Sequence, residues 1–332
     1  MQNDQASLPL ISVIVPIYNM SGRMDLCLRC LTGQTYRNLE ILLVDDGSTD
    51  DSWASIQKWA ARDARIRPLH KENGGVSSAR NYGLDRMQGE YVTFVDPDDA
   101  FSSHMIQRLY ETLGQCNVPL STCRVLPRRA AEAAILPPEP AAPGAARKVA
   151  LTEYDHWGAY AHVQCYGALY RADLLQGLRF DETLTYAEDL LFFTHALLRA
   201  KTTAVLMDQL YYYVEWNDSA LHRPYTATQF TDVLVWERVC TLGKDISPLF
   251  YESARTHYMF ACTRAFYYSF TSESDCTDIR REAVRRLRQN RQAVWAMPPI
   301  CRKERIKALL AMVSPALGEA LWRLTKRFSH SS

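Results

Sequence analysis

The chain has 332 residues, of which 47% are hydrophobic and 23% charged, with a formal net charge of +1. This composition excludes a disordered chain and suits one large or two ordinary globular domains. Nine cysteines at scattered spacings argue against a disulfide framework, and without a leader sequence or an apolar run of ~18 residues we expect a cytoplasmic protein with no membrane span.

Strands and helices are predicted to alternate over the first 95 residues. The β-branched runs Ile11–Ile17 and Leu39–Val44 are typical of strands that are buried on both faces of a parallel sheet. Two further strands are predicted over 65–70 and 91–95, and the intervening helices over 24–32, 52–62 and up to about residue 87. This alternation predicts an α/β fold, whose ligands bind at the carboxyl ends of the strands.

The amino-acid composition of the sequence changes after Ser121. The segment Pro127–Lys148 contains five prolines and many alanines, which predicts a mobile surface loop. A helix with Glu188 and Asp189 at its N-terminus and a strand over Tyr211–Val214 are predicted next, and the pattern is mostly helical from Thr228 onwards.

Basic residues are concentrated near the C-terminus. Between Arg280 and Arg327 there are thirteen Lys and Arg residues and three acidic ones. Apolar residues there follow a helical spacing, interrupted at Ser314-Pro315: Ile306, Leu310, Val313, Leu317, Leu321, Leu324 and Phe328. A solvated helical face is one interpretation. Our prediction is the other, a peripheral contact with an anionic membrane through the basic C-terminal helices.

Three carboxylates crowd the end of the predicted strand in Y-V-T-F-V-D-P-D-D-A-F, which spans residues 91–101. Asp96, Asp98 and Asp99 repel one another unless something positive lies between them. An acidic turn is one explanation. The other is a site for Mg²⁺ or Mn²⁺, which prefer oxygen ligands and keep positions open for phosphate oxygens.

Other phosphate-binding and metal-binding motifs are missing. The sequence has no G-x-x-x-x-G-K-[ST] P-loop, and no G-x-G-x-x-G follows its first strand. Cys27-x-x-Cys30 has no second pair at zinc-site spacing and lies in an apolar helical pattern, so we interpret it as structural.

Four motifs occur in order over about 90 residues. They are I-S-V-I-V-P-I-Y-N at 11–19, V-D-D-G-S-T-D at 44–50, N-G-G-V-S-S-A-R-N-Y-G at 73–83 and F-V-D-P-D-D at 94–99. Together they closely resemble the family 2 glycosyltransferases with the GT-A fold. The resemblance is strong over residues 8–115 and extends more weakly to about 225, through F-D-E at 180–182, A-E-D-L-L-F at 187–192 and Y-Y-Y-V-E-W-N-D-S at 211–219.

The resemblance implies roles for particular residues. The nucleotide would be held by Pro16, Tyr18, Asp45, Asp46, Arg80 and Asp96. The metal would be held by Asp98 and Asp99, and His222, in the loop after the last strand, is a further candidate. Pro97 stands where the family usually has a small residue, so the choice between Asp98 and Asp99 stays open. The family's E-D pair implies that Asp189, or as second choice Glu188, is the general base.

The expected protein is thus an inverting, UDP-sugar-dependent and metal-dependent glycosyltransferase that acts on a glycan or lipid-linked acceptor in bacterial cell-surface polysaccharide or lipopolysaccharide synthesis. We expect a GT-A catalytic domain over 8–225, with a Rossmann-like, mostly parallel sheet, and a helical basic region over 226–332. Mn²⁺ or Mg²⁺ is the expected cofactor, the inner face of the cell membrane the expected location, and no nucleic acid partner is expected. Two alternatives are a nucleotidyltransferase acting on sugar phosphates and a non-catalytic sugar-nucleotide-binding scaffold.

Overall fold

The computed structural model of the protein describes residues 8–132, 144–156, 162–216 and 225–329. These residues form two compact units. The first unit takes the described residues of Met1–Leu151, His162–Leu184 and Glu188–Ser219. The second takes those of Thr152–Ala161, Thr185–Ala187 and Ala220–Ser332.

The first four strands of unit 1 are parallel and lie side by side in the order β3-β2-β1-β4. They are β1 (Ile11–Ile17), β2 (Leu39–Asp45), β3 (Ile66–His70) and β4 (Tyr91–Phe94). Every residue of β1 and β2 is buried, as expected of β-branched runs covered on both faces. The predicted α/β fold is confirmed, and the carboxyl ends of these strands meet at one edge of the sheet.

Three helices connect the four strands, as the sequence predicts. They are α1 (Asp25–Thr32), α2 (Ser52–Ala60) and α3 (Val76–Leu84). Cys27 and Cys30 are free thiols buried by α1, which agrees with a structural role. Gly83 of α3 packs against β1 so closely that a Cβ atom there would lie 2.6 Å from Cγ2 of Ile14.

The sheet continues beyond β4 through five more strands, in the order β4-β8-β6-β9-β5, with β7 pairing on β9. The remaining elements of unit 1 are β5 (Ala100–Phe101), α4 (Met105–Cys116), β6 (Leu120–Arg129), β7 (Ala146–Ala150), β8 (Ala168–Arg171), α5 (Glu188–Ala200) and β9 (Thr202–Glu215). Strand β8 is antiparallel to both neighbours, whereas β6 and β9 are parallel. The described sheet is therefore parallel in its first half and mixed in its second.

Both ends of the proline- and alanine-rich segment differ from the prediction of a loop. Strand β6 runs through Pro127 to Arg129, and β7 begins at Ala146. The reason is pairing with a distant partner, because Val125 to Arg129 lie beside Tyr211 to Glu215 of β9. Residues 133–143 lie outside the described part of the chain.

Unit 2 consists mainly of helices. They are α6 (Thr231–Gly243), α7 (Pro248–Tyr268), α8 (Thr277–Gln289), α9 (Arg291–Ala296), α10 (Arg302–Val313) and α11 (Pro315–Ser329). The longest, α7, begins with Pro248 after Ser247, whose Oγ accepts a hydrogen bond from the Phe250 N–H at 3.1 Å. Within the described residues, no helix combines the length and the apolar character that crossing a bilayer requires.

The apolar stripe predicted near the C-terminus is largely exposed where its side chains are described. The exposed fractions are 47% for Ile306, 81% for Val313 and 50% for Leu317. The buried side of α10 is formed instead by the smaller Ala308 and Ala311 together with Met312. The predicted interruption is present, since α10 ends at Val313 and α11 begins at Pro315.

Candidate active site

The loops that follow β1 and β2 are joined by side-chain hydrogen bonds. The Asn19 N–H donates to Ser48 Oγ at 3.0 Å, and the Thr49 N–H donates to Asn19 Oδ1 at 2.9 Å. Asn19 adopts a left-handed backbone conformation with φ of 51°, which asparagine tolerates better than most residues. The first two sequence motifs therefore form one continuous surface at the carboxyl edge of the sheet.

Pro16 and Tyr18 have different positions in the first motif. Pro16 is buried within β1 beside Val44 of β2. Tyr18 lies just beyond the end of the strand and is 46% exposed, so its ring is available to a flat partner.

Asp45 and Asp46 are buried and engaged by the protein itself. Asp45 Oδ2 lies 2.7 Å from His70 Nδ1 at the end of β3. Asp46 accepts hydrogen bonds from Lys71 Nζ at 2.6 Å and from the Gly75 N–H at 2.7 Å. These carboxylates order the 71–75 loop ahead of α3, a role that the sequence reading did not foresee.

Arg80 of α3 bridges two of the predicted acidic groups. Its Nη2 lies 2.8 Å from Asp96 Oδ1, and its Nη1 lies 2.8 Å from Glu188 Oε1. The guanidinium is buried over the ring of Phe180, 5.2 Å from the centroid, and its Nε has no partner among the described residues. Arg80 thus joins the third motif, the D-P-D-D turn and the E-D pair in one ion-pair network.

Asn81, the neighbour of Arg80, fixes α3 to the segment before α5. Its Nδ2 donates to the Phe180 carbonyl at 3.0 Å and to Glu182 Oε1 at 2.8 Å, and its Oδ1 accepts from the Phe180 N–H at 2.8 Å. The A-R-N and F-D-E motifs, about 100 residues apart, are therefore in direct contact.

Asp99 is a buried link between the D-P-D-D turn and β9. Its Oδ2 accepts from the Tyr211 hydroxyl at 2.7 Å and its Oδ1 from the Val214 N–H at 2.9 Å, and the residue is only 1% exposed. Burial, together with the charges of Asp96 and Asp98, raises the pKa of the Asp99 carboxyl well above its ordinary value. Both oxygens are in use, which does not suit the role of metal ligand.

Asp98 is the better candidate for a cation ligand. It is partly exposed, in contrast to Asp99, and its backbone carbonyl lies 3.4 Å from Trp216 Nε1. Among the described residues, no group of three or more His, Cys, Asp or Glu side chains could hold a metal by itself. A single carboxylate such as Asp98 fits a cation that binds together with a diphosphate, because Mg²⁺ is commonly held by one or two carboxylates plus substrate phosphates. His222 lies outside the described residues.

Glu188 and Asp189, in the first turn of α5, have different environments. Glu188 is buried and paired with Arg80, whereas Asp189 is half-buried and accepts a hydrogen bond from the Leu190 N–H at 2.8 Å. Burial, reinforced by the charge of Glu188 and opposed by Arg80, raises the pKa of the Asp189 carboxyl to about 7. A carboxylate with this pKa can both exist as a base and take up a proton near neutral pH.

The sequence reading missed the partners of these carboxylates. His70, Lys71, Tyr211 and Trp216 each contact a predicted site residue. Tyr211 and Trp216 lie in a stretch that indicated a strand and a weak family resemblance without a role for either residue, and nothing in the local sequence marked Lys71.

Comparisons with known proteins show which proteins the chain resembles. The profile of the family described as "Glycosyl transferase family 2" matches residues 12–137. The chain is 38% identical over 224 residues to the uncharacterized glycosyltransferase EpsJ of Bacillus subtilis, which covers 66% of this chain and 64% of that protein. It is 48% identical over 103 residues to the glycosyltransferase GlyG of Streptococcus pneumoniae, covering 31% of this chain and 34% of GlyG. The chain thus spans less than two thirds of these relatives.

Solved structures share the fold over nearly the whole chain. TarS of S. aureus, in complex with UDP-GlcNAc, superposes with a TM-score of 0.65 at 21% identity and covers 95% of this chain and 92% of its own. The mannosyltransferase PcManGT of Pyrobaculum calidifontis, in complex with GDP-Man and Mn²⁺, gives a TM-score of 0.58 at 18% identity, with 96% and 88% coverage. The expected GT-A fold is confirmed.

Proposed function

Because residues 12–137 match the model of the family described as "Glycosyl transferase family 2", we propose that the protein is an inverting glycosyltransferase. It moves a sugar from a UDP-sugar to a glycan or lipid-linked acceptor in bacterial cell-surface polysaccharide or lipopolysaccharide synthesis. The observation that carries this proposal is the half-buried Asp189, whose carboxyl has a pKa of about 7 and lies beside the Arg80–Glu188 pair.

Asp189 acts as the general base. It takes the proton of the acceptor hydroxyl while that oxygen attacks the anomeric carbon and the bond from this carbon to the diphosphate oxygen breaks. The base lies on the acceptor side and the diphosphate leaves on the other, so one displacement inverts the anomeric configuration. Glu188 does not act as the base, because its Oε1 forms an ion pair with Arg80 Nη1 at 2.8 Å.

The D-P-D-D turn is the proposed binding site for the cation that accompanies the leaving diphosphate. Asp98 would hold a divalent cation there, and a bound cation would offset the charge that develops on the diphosphate. Asp96, fixed by Arg80, borders the same turn, and Asp99 holds the turn against β9. Arg80, which the resemblance placed among the nucleotide-binding residues, is buried and holds Asp96 and Glu188 through its two terminal nitrogens, so we assign it a positioning role.

The nucleotide binds where the first two motifs meet. The exposed ring of Tyr18 offers a stacking surface for the base. The UDP and UDP-GlcNAc complexes of TarS support uracil as the base.

Measuring released nucleotide tests the activity and its alternatives. The protein should release UDP from a UDP-sugar in the presence of an acceptor and a divalent cation. Pyrophosphate release from UTP and a sugar phosphate would instead indicate a nucleotidyltransferase. Saturable UDP-sugar binding without UDP release, across sugars and acceptors, would indicate a binding scaffold.

The pKa of Asp189 predicts the pH dependence of the reaction. The base works only when deprotonated, so kcat/KM should fall about tenfold per pH unit below a midpoint near 7. Glu188 and Asp96 face this carboxyl with like charge and Arg80 with opposite charge. A pH profile between 5 and 9 measures the midpoint, and a midpoint near 4 would contradict the assigned environment.

The basic C-terminal helices support a contact with an anionic membrane. Trp295, Ile300 and Val313 are 64%, 86% and 81% exposed, and the exposed Arg302 and Lys303 lie between Ile300 and Val313 in the sequence. Large apolar side chains in water beside basic groups are typical of proteins that rest in the lipid headgroup region. This proposal adds a location to the glycosyltransferase function and is tested separately.

Replacing Val313 with glutamate should weaken membrane binding. We expect about tenfold less binding to vesicles containing phosphatidylglycerol, because inserting one such apolar side chain contributes about 1.5–3 kcal/mol. The measurement is cosedimentation with the vesicles at rising salt. Leu249→Glu, on α7 of the same unit and 47% exposed, is the matched control and should bind as the unmodified protein does. No salt-sensitive binding by the unmodified protein would refute the contact.

A further inference from the structure

A cavity of about 620 Å³ lies within unit 2. One wall is a row of arginines on α8: Arg280, Arg281, Arg285 and Arg288. Arg281, Arg285 and Arg288 are spaced by four and three residues and so lie on one helix face, and Arg280 is the sequence neighbour of Arg281. The first turn of α11 closes another side through Pro315 and Ala316.

The floor of the cavity is apolar. Phe266 and Phe270 of the α7 end region and Val284 of α8 contribute to it. The two phenylalanine rings pack edge to face with centroids 5.3 Å apart, and Arg280 lies over the ring of Phe270 at 4.9 Å. The volume is in the range of small-molecule sites, about 300–1,000 Å³.

Arg281 and Arg288 retain donors for an anion, whereas Arg285 is paired with Glu282 and Arg280 with Asp275. Glu319 also lines the cavity and is paired with Arg323. Arg288 gives its Nε–H to the Met312 carbonyl at 2.8 Å, and neither of its terminal nitrogens has a hydrogen-bond partner among the described residues. Arg281 pairs with Asp278 on the same helix, but this pair is exposed on both sides and contributes little. A guanidinium carries five N–H donors, so a single exposed ion pair leaves most of them for a phosphate.

We propose that this cavity binds a phosphorylated amphiphile, a phosphate or diphosphate monoester of a long-chain alcohol. The arginine wall fits the doubly or triply charged head, because guanidinium groups bind phosphate oxygens through paired hydrogen bonds. The phenylalanine floor fits the start of the apolar chain, since burial of apolar area is favourable. A simple anion would leave the phenylalanine floor without a partner, and a purely apolar ligand would leave the arginine wall without one. An amphiphile contacts both surfaces.

Titration of the full chain with farnesyl diphosphate tests this assignment. The titration contains a chelator, so that no divalent cation recruits a diphosphate to the carboxylates of unit 1. We expect saturable binding of farnesyl diphosphate, with inorganic diphosphate and farnesol each binding at least about tenfold more weakly, because each lacks one of the two contacts. Equal affinity for inorganic diphosphate would show a plain anion site and overturn the proposal, as would absence of binding.

The double variant Arg281→Gln/Arg288→Gln removes two charges from the wall and should weaken farnesyl diphosphate binding by about 10- to 100-fold. Arg238→Gln/Lys244→Gln removes two exposed charges of the same unit outside the cavity and should change the affinity by less than about twofold. Equal weakening in both would mean a diffuse charge effect and overturn the site. Thermal unfolding of each variant checks the fold. Binding is measured without sugar transfer, so this test stands or fails separately from the proposed function.

Discussion

The Asp189→Asn variant is expected to lower kcat by about 10²–10⁴-fold, the usual contribution of a general base. Asparagine has nearly the shape of aspartate but cannot accept the proton of the acceptor hydroxyl. The effect should appear in kcat and not in the affinity for the UDP-sugar, because Asp189 acts on the acceptor. Steady-state rates of UDP release together with donor binding by calorimetry measure the two quantities.

Two further variants serve as controls for the Asp189→Asn experiment. Asp173→Asn, at an exposed carboxylate of the same unit paired with Arg171, should retain full activity. Glu188→Gln removes the partner of Arg80 and should lower both the activity and the melting temperature, since a buried guanidinium loses half of its ion pairs. An Asp189→Asn rate within tenfold of the unmodified enzyme would transfer the role of base to another group.

The Asp98→Asn and Asp99→Asn variants should fail in different ways. Loss of the cation ligand at Asp98 should reduce turnover more than about 100-fold, since a metal ion contributes several kcal/mol of transition-state stabilisation. The melting temperature should stay unchanged because the Asp98 side chain is partly exposed. Activity at rising Mn²⁺ concentration and thermal unfolding are the measurements.

Asp99→Asn should instead destabilise the protein by about 1–3 kcal/mol, because an amide accepts only one of the two hydrogen bonds that Tyr211 and Val214 donate. Its residual activity should still respond to Mn²⁺. A loss of the metal response in Asp99→Asn with an unchanged melting temperature would reverse the assignment of the two carboxylates.

The parallel half of the fold was predictable because its signals are local. Strand β1 has the bounds that the sequence predicts, because a short β-branched run that is buried on both faces is recognisable as a strand from its own residues. The strand character of Pro127–Arg129 was not predictable, because it comes from pairing with β9, some 86 residues later, against the local preference of proline.

The same distinction applies to the site. The motifs identified which carboxylates matter, whereas their individual environments depend on distant partners. Asp98 and Asp99 are neighbours in the sequence, and only the contacts of Asp99 with Tyr211 and Val214 separate a structural link from a candidate ligand. Likewise, the spacing of Ile306 and Val313 indicated an apolar stripe on a helix, but it did not indicate which side of α10 packs inward.

The Arg80 bridge also bears on how such a sequence can change over time. One guanidinium serves Asp96 and Glu188, which lie 92 residues apart in the chain. Losing Arg80 would leave two acidic groups facing each other, and losing either acid would leave Arg80 partly uncompensated. The three positions therefore form a single epistatic unit, in which a tolerated substitution at one is expected to require a matching substitution at another.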